Sequence, residues 1–76
     1  MEELLTWIAQ GLVDEPDAVR VERVDEGDVV VLRLSVAPDD VGKVIGRQGR
    51  IARALRTVVR SAGARSDRRL MLEIAD

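Results

Sequence analysis

The sequence predicts a two-layer α/β (α+β) sandwich, with helices on one face of a three-stranded sheet, in the order α-β-β-α-α-β. Three observations carry this prediction. Apolar residues recur at helical spacing in residues 2–13 and again in 50–62. A β-branched run at 29–36 and alternating runs at 19–24 and 68–75 have strand character. The links between these segments are short and hold Gly, Pro or Asp. A chain of 76 residues has room for one core, and a domain this small buries only about 60% of its unfolded surface. Residues 1–76 are therefore expected to form a single domain.

In the first segment Leu4, Leu5, Ile8, Leu12 and Val13 make the apolar stripe of an amphipathic helix. Trp7 falls on the fringe of that stripe, and a partly buried core position is expected for it in preference to an anchor for a partner. Pro16 ends the helix, because it disfavours helical backbone at the residue before it. Val19, Val21 and Val24 then alternate with Arg20, Glu22 and Arg23 as a half-buried strand, and Asp25-Glu26-Gly27-Asp28 gives a turn signal. The strand after it is apolar on both faces through Val29-Val30-Val31-Leu32, which predicts a central place in the sheet. Ala37-Pro38-Asp39-Asp40 turns the chain into a short helix from about Asp40 to Ile45. Asp39 is expected as its N-cap and Asp40 in its first turn. Gly46 stops that helix. The next, Arg50 to about Ala62, carries Ile51, Leu55, Val58, Val59 and Ala62 on one side and Arg50, Arg53, Arg56 and Arg60 on the opposite arc. Gly63 follows, where a left-handed cap residue is expected. Leu70, Leu72 and Ile74, alternating with Met71 and Glu73, close the domain as a third strand.

The composition excludes several functions. With no cysteine there are no disulfides or thiolate metal sites. No His, Cys or Tyr is present to act as base, nucleophile or ligand, and Ser35, Ser61 and Ser66 have no recognisable activating partner. No Gly-x4-Gly-Lys-[Ser/Thr] loop exists. The expectation is a protein that is not an enzyme and holds no cofactor or metal. No apolar run approaches the roughly 18 residues of a membrane helix, and Met1-Glu2-Glu3 lacks a basic signal-peptide start. A cytoplasmic location without membrane attachment is the default.

The net charge of −2 hides a strong polarity. Residues 1–42 carry 11 acids against Arg20, Arg23 and Arg33, whereas residues 43–69 carry Lys43 and eight arginines against Asp67 alone. That second stretch presents a local cationic surface, and Gly46-Arg47-Gln48-Gly49 stands within it. Two glycines flanking two polar residues between helices suggest a loop whose backbone approaches another molecule closely. The free N–H groups of the following helix face the same loop, an arrangement that favours phosphate. Lys43, Arg47 and Arg50 would add charge there. Arg56 and Arg60 fit an extended electrostatic track and a solvated helix face equally well, and Arg65, Arg68 and Arg69 are assigned no binding role.

The stretch Val44-Ile45-Gly46-Arg47-Gln48-Gly49 resembles the I-G-x-x-G signature of KH domains. The element order is similar to their prokaryotic type II variant, and the length to the small bacterial KhpA-type RNA-binding proteins. The resemblance covers essentially the whole chain, with "GKVIGRQGRIARALRTVV" its most specific part. It implies a G-x-x-G loop that clamps the backbone of about four nucleotides of single-stranded RNA or DNA. Carried onto this sequence, Gly46 and Gly49 would let the loop approach the sugar-phosphate chain, and Arg47 and Gln48 would meet phosphates. Gly42, Lys43 and Ile45 would border the groove, with Ile45 as an apolar wall under the bases, and Arg50 and Arg53 would flank it. Where the wider family often has a larger aliphatic residue, three positions after the second glycine, this chain has Ala52, with Ile51 beside it. The absence of aromatics near the basic segment counts against modules that stack bases on such rings; KH grooves hold bases against aliphatic surface.

The resemblance also implies an RNA chaperone or post-transcriptional regulator linked to cell division, cell shape and envelope growth. Its expected partners are RNA and either a second copy, as a homodimer, or a larger KhpB (Jag)-type KH protein. The competing expectation is a protein-interaction or dimerisation module within such an assembly. Pairing two grooves would raise effective affinity without new contacts.

Overall fold

The computed structural model describes residues 1–65 and 67–75. Helix α1 (Glu2–Leu12) begins with Glu2 and Glu3 at its positive dipole end and buries Leu5 and Ala9. A 3-10 turn at Pro16–Ala18 uses the fixed φ of Pro16 and leads into β1 (Arg20–Glu26). The strand runs two residues further than its valines indicate, so the hairpin loop is only Gly27-Asp28. Its first residue has φ +73° and its second has no positive φ, the II′ pattern that matches strand twist.

β2 (Val29–Ser35) pairs antiparallel with β1, and β3 (Arg69–Ile74) pairs parallel with β2 on its other side. The central position expected for β2 is observed. Parallel pairing requires a long crossover, and this one contains α2 (Val41–Ile45) and α3 (Arg50–Gly63). Val30, Leu32 and Leu34 alternate along β2 and are buried on one face. They join Leu5 and Ala9 of α1, Val44 of α2, Leu55 and Val59 of α3, and Leu72 of β3 in one cluster. The helices therefore share one face of the sheet, in the two-layer arrangement with the expected element order. On the other face Arg33 bridges Glu22 of β1 and Glu73 of β3, and its pKa is raised chiefly by the hydrogen bond to Glu73.

Four expectations are corrected. Trp7 is 71% exposed, because α1 covers the sheet with Leu5 and Ala9 and leaves the fringe position uncovered. Gly63 is the last helical residue and has no positive φ; the chain leaves α3 through right-handed Ala64. A Cβ on Gly63 would stand 2.9 Å from the backbone nitrogen of Leu70, so the glycine lets α3 approach β3. Asp39 lies inside a 3-10 turn, Pro38–Asp40, and the N-cap of α2 is Asp40, which makes no capping hydrogen bond. The buried side of α3 is Ala52, Leu55, Val59 and Gly63, a 3-4-4 spacing that leaves Val58 38% exposed.

Candidate nucleic-acid interface

The Gly46–Gly49 loop owes its shape to backbone that most residues avoid. Gly46 has φ +78°, and its N–H donates to the Gly42 carbonyl at 2.9 Å, closing α2. A Cβ there would meet Ile51 Cγ1 at 2.6 Å and the Ile51 backbone nitrogen at 2.9 Å. Conformation and space both demand glycine. Arg47–Gly49 forms a single 3-10 turn in which the Gly49 N–H donates to the Gly46 carbonyl at 3.1 Å. Gln48 has φ +58° and is the one non-glycine with positive φ among the described residues. Gly49, at φ +74°, is the N-cap of α3, where no side chain caps the first turn. A Cβ on Gly49 or Gly42 would meet nothing within 4 Å, so the outer surface of the loop is open.

The structure gathers most of the expected site residues around this loop. Arg47, Gln48, Arg50 and Arg53 are exposed. Arg53 Nη2 donates to the Gln48 carbonyl at 3.2 Å and stitches α3 to the turn. Ile45 is 36% exposed at the end of α2, and Gly42 lies one turn earlier on the same helix. Ile51 is half-buried under Gly46 and Ala52 is buried, so the apolar support of the loop comes from Ile51.

Lys43 is placed differently. Its ammonium lies 3.0 Å from Asp14 Oδ2 and 3.2 Å from Asp40 Oδ1, and its pKa is raised by hydrogen bonds to Asp14 and then Asp40. Asp40 is the buried charged residue of the described chain, at 1% exposure. Burial pushes its carboxyl pKa up, but backbone N–H donors of Glu15 and Asp14, together with Lys43, outweigh this and hold it below the ordinary aspartate value. The Glu15 N–H donates to Asp40 Oδ2 at 3.1 Å.

One surface feature between α3 and β3 was not singled out by sequence reasoning. Two adjoining depressions run between α3 and β3, the first lined by Arg56, Arg60, Leu70, Met71 and Leu72, the second by Arg60, Gly63, Ala64 and residues 67–70. Met71 is 49% exposed at the centre of β3. The signal was an exposed apolar residue beside a base-rich helix, but it becomes readable only once β3 is known to lie next to α3. Arg68 is engaged with Asp25 and the Gly27 carbonyl. Ser66, one of the three serines considered as nucleophiles, lies outside the described residues. Among the described residues no group of His, Cys, Asp or Glu could hold a metal ion, and no helix is long and apolar enough to cross a membrane.

Known proteins are similar to this chain along nearly its whole length. The family model for the KhpA/KhpB KH domain matches residues 2–74. The RNA-binding protein KhpA of Halalkalibacterium halodurans is 53% identical over 76 residues, covering 100% of both chains. That of Clostridium acetobutylicum is 50% identical, covering 97% of this chain and 99% of the relative. That of Bacillus subtilis is 47% identical, covering 100% and 94%. No solved structure matches to the same standard. A sandwich of this order, a G-x-x-G turn between its second and third helices and relatives matched end to end lead to one conclusion: the chain belongs to the KhpA/KhpB family of KH domains.

Proposed function

We propose that this chain, acting as one KH unit over residues 1–76, binds single-stranded RNA by clamping its backbone at the Gly46–Gly49 loop. The observation that carries this is the loop itself. Three of its four residues have positive φ, and its outer surface is open. Its polar side chains and the uncapped first turn of α3 lie together. Such a turn offers N–H groups and positive charge to phosphate without side chains in the way. Its relatives are named RNA-binding proteins, which favours RNA over single-stranded DNA; the 2′-hydroxyl is the group that would tell the two apart. Gly42 and Ile45 border the groove, Arg47 and Gln48 meet phosphates, and Arg50 and Arg53 flank them from α3. Lys43 stands beside them with its charge turned to Asp14 and Asp40. The chemistry suits an RNA chaperone or post-transcriptional regulator of the cytoplasm, with no catalytic step.

Fluorescence anisotropy with a short unstructured labelled RNA tests this. Arg47→Asp/Gln48→Asp should abolish binding while circular dichroism stays unchanged. Wild-type affinity should fall with salt at a slope of about −0.7 per phosphate contact. A flat salt dependence, or full binding by the folded double variant, removes the loop clamp.

A second reading has its own support. Trp7, 71% exposed, lines a mainly apolar depression on α1 with Ile8, Gln10, Gly11 and Leu12, and Leu4 of the same helix is 47% exposed. Exposed aromatic surface of this kind suits a protein contact, with a second copy or a larger KhpB-type protein as partner. If α1 mediates assembly, Trp7→Ser converts a sedimenting dimer to monomer without weakening RNA binding per site. A dimer that survives the change places assembly elsewhere.

A further inference from the structure

We infer that Lys43 and Asp40 form an internal clip that sets the pose of the G-x-x-G loop, and that Lys43 makes no phosphate contact despite its place in the basic segment. This rests on the RNA reading for its consequence, though the clip itself is visible without RNA.

The helix that carries the loop cannot hold its own orientation. α2 has five residues, far below the roughly 12–15 at which an isolated helix becomes even marginal. Its direction, and so that of Gly46–Gly49, must come from tertiary ties. Val44, fully buried, is one. Asp40 is the other, and it is unusual: a buried carboxylate at the start of the helix whose two oxygens are both used. One accepts the backbone N–H of Glu15, 25 residues earlier, and the other accepts Lys43. Lys43 then reaches out to Asp14, the neighbour of Glu15. Together these contacts fasten the start and the middle of α2 to the connection between α1 and β1. Burying a carboxylate in this way is tolerable only with such complete pairing, and removing one partner strands the other.

The same geometry decides what Lys43 can offer a ligand. An ammonium has three donors, and two of them are directed at carboxylates at 3.0 and 3.2 Å. The cluster of one cation and two anions carries net negative charge, which repels phosphate. Arg47 and Arg50, by contrast, have no carboxylate partner among the described residues. The sequence shows one basic segment; the structure divides it between a clip and the residues that face solvent.

The test compares Lys43→Met, Lys43→Arg and Arg47→Ala in the full chain. In RNA-free protein, Lys43→Met should shift the NMR amide signals of Glu15, Gly46 and Gly49, and Lys43→Arg should leave them close to their wild-type positions by keeping both pairs. With the labelled RNA, Lys43→Met should lower affinity several-fold while leaving the salt slope unchanged. Arg47→Ala should reduce that slope by about 0.7. A slope loss in Lys43→Met equal to that of Arg47→Ala makes Lys43 a phosphate ligand and overturns the proposal. So do unmoved signals at Gly46 and Gly49. If Lys43→Met does not fold, Asp14→Asn breaks the exposed arm of the clip and is judged by the same signals. Failure of the wild type to bind RNA would sink the RNA reading alone, since the amide shifts still judge the clip.

Discussion

At the residue scale, glycine serves two different purposes in this chain, and substitutions separate them. Gly63 has ordinary helical backbone, so alanine should suit it by propensity, by up to about 1 kcal/mol. Yet its Cβ would lie 2.9 Å from Leu70 nitrogen and 3.1 Å from Leu70 Cβ, and a strand backbone cannot step aside. Overpacking of this kind costs about 1–3 kcal/mol, so Gly63→Ala should lower the urea midpoint with an unchanged m value. Gly46→Ala meets both penalties at once, a φ of +78° and an Ile51 nitrogen at 2.9 Å. Its damage should exceed that of Gly49→Ala, where only the φ of +74° resists and nothing stands within 4 Å. Urea titration of the two variants side by side checks the order. A glycine at the end of a helical pattern fits a left-handed cap and a close crossing alike. The sequence could not choose for Gly63, because the choice depends on where β3 lies.

At the scale of elements, the tie between α2 and the connection that follows α1 is electrostatic and therefore pH-sensitive. The folded Asp40 carboxyl titrates below its unfolded value, which is about 3.9. Its contribution to stability is complete above that value and is lost as pH falls through the folded pKa. Thermal melts from pH 7 to pH 2 should show wild type losing stability more steeply below about pH 4 than Asp40→Asn does. Lys43 has the opposite sign: its pKa is raised, so its contribution is present below about pH 10.4 and is lost above it. Elements with their own periodicity were legible: α1, the hairpin, the long helix and the central strand all follow from apolar spacing and turn residues. What depended on three dimensions was not. Asp39-Asp40 reads as a capping pair, and a 3-10 turn moves the cap by one residue and buries Asp40 against a segment 25 positions away. The loop was legible as Gly46-Arg47-Gln48-Gly49, whereas the depressions between α3 and β3 were not. Spacing along a chain does not reveal which strand a helix will cover.

At the scale of the whole molecule, the charge polarity of the sequence becomes a division of surface. Bases on the exposed side of α3 flank the loop, while α1 carries only acidic charges, Glu2 and Glu3. Trp7 stands on that acidic helix, and helical periodicity alone put it at the margin of the core. The margin proved to be outside, since three short helices cannot cover every flank of a small sheet. Trp7→Ala should accordingly change stability by no more than about 0.5 kcal/mol, whereas Leu32→Ala, fully buried in the central strand, should cost about 2–5 kcal/mol. Chemical denaturation of the pair checks both. Trp7 is also the only aromatic residue in the chain, so the protein's ultraviolet emission comes from a single indole that already faces water when the chain is folded. That emission is nearly blind to melting of the core. A blue shift on adding another molecule is instead a local report from the surface of α1.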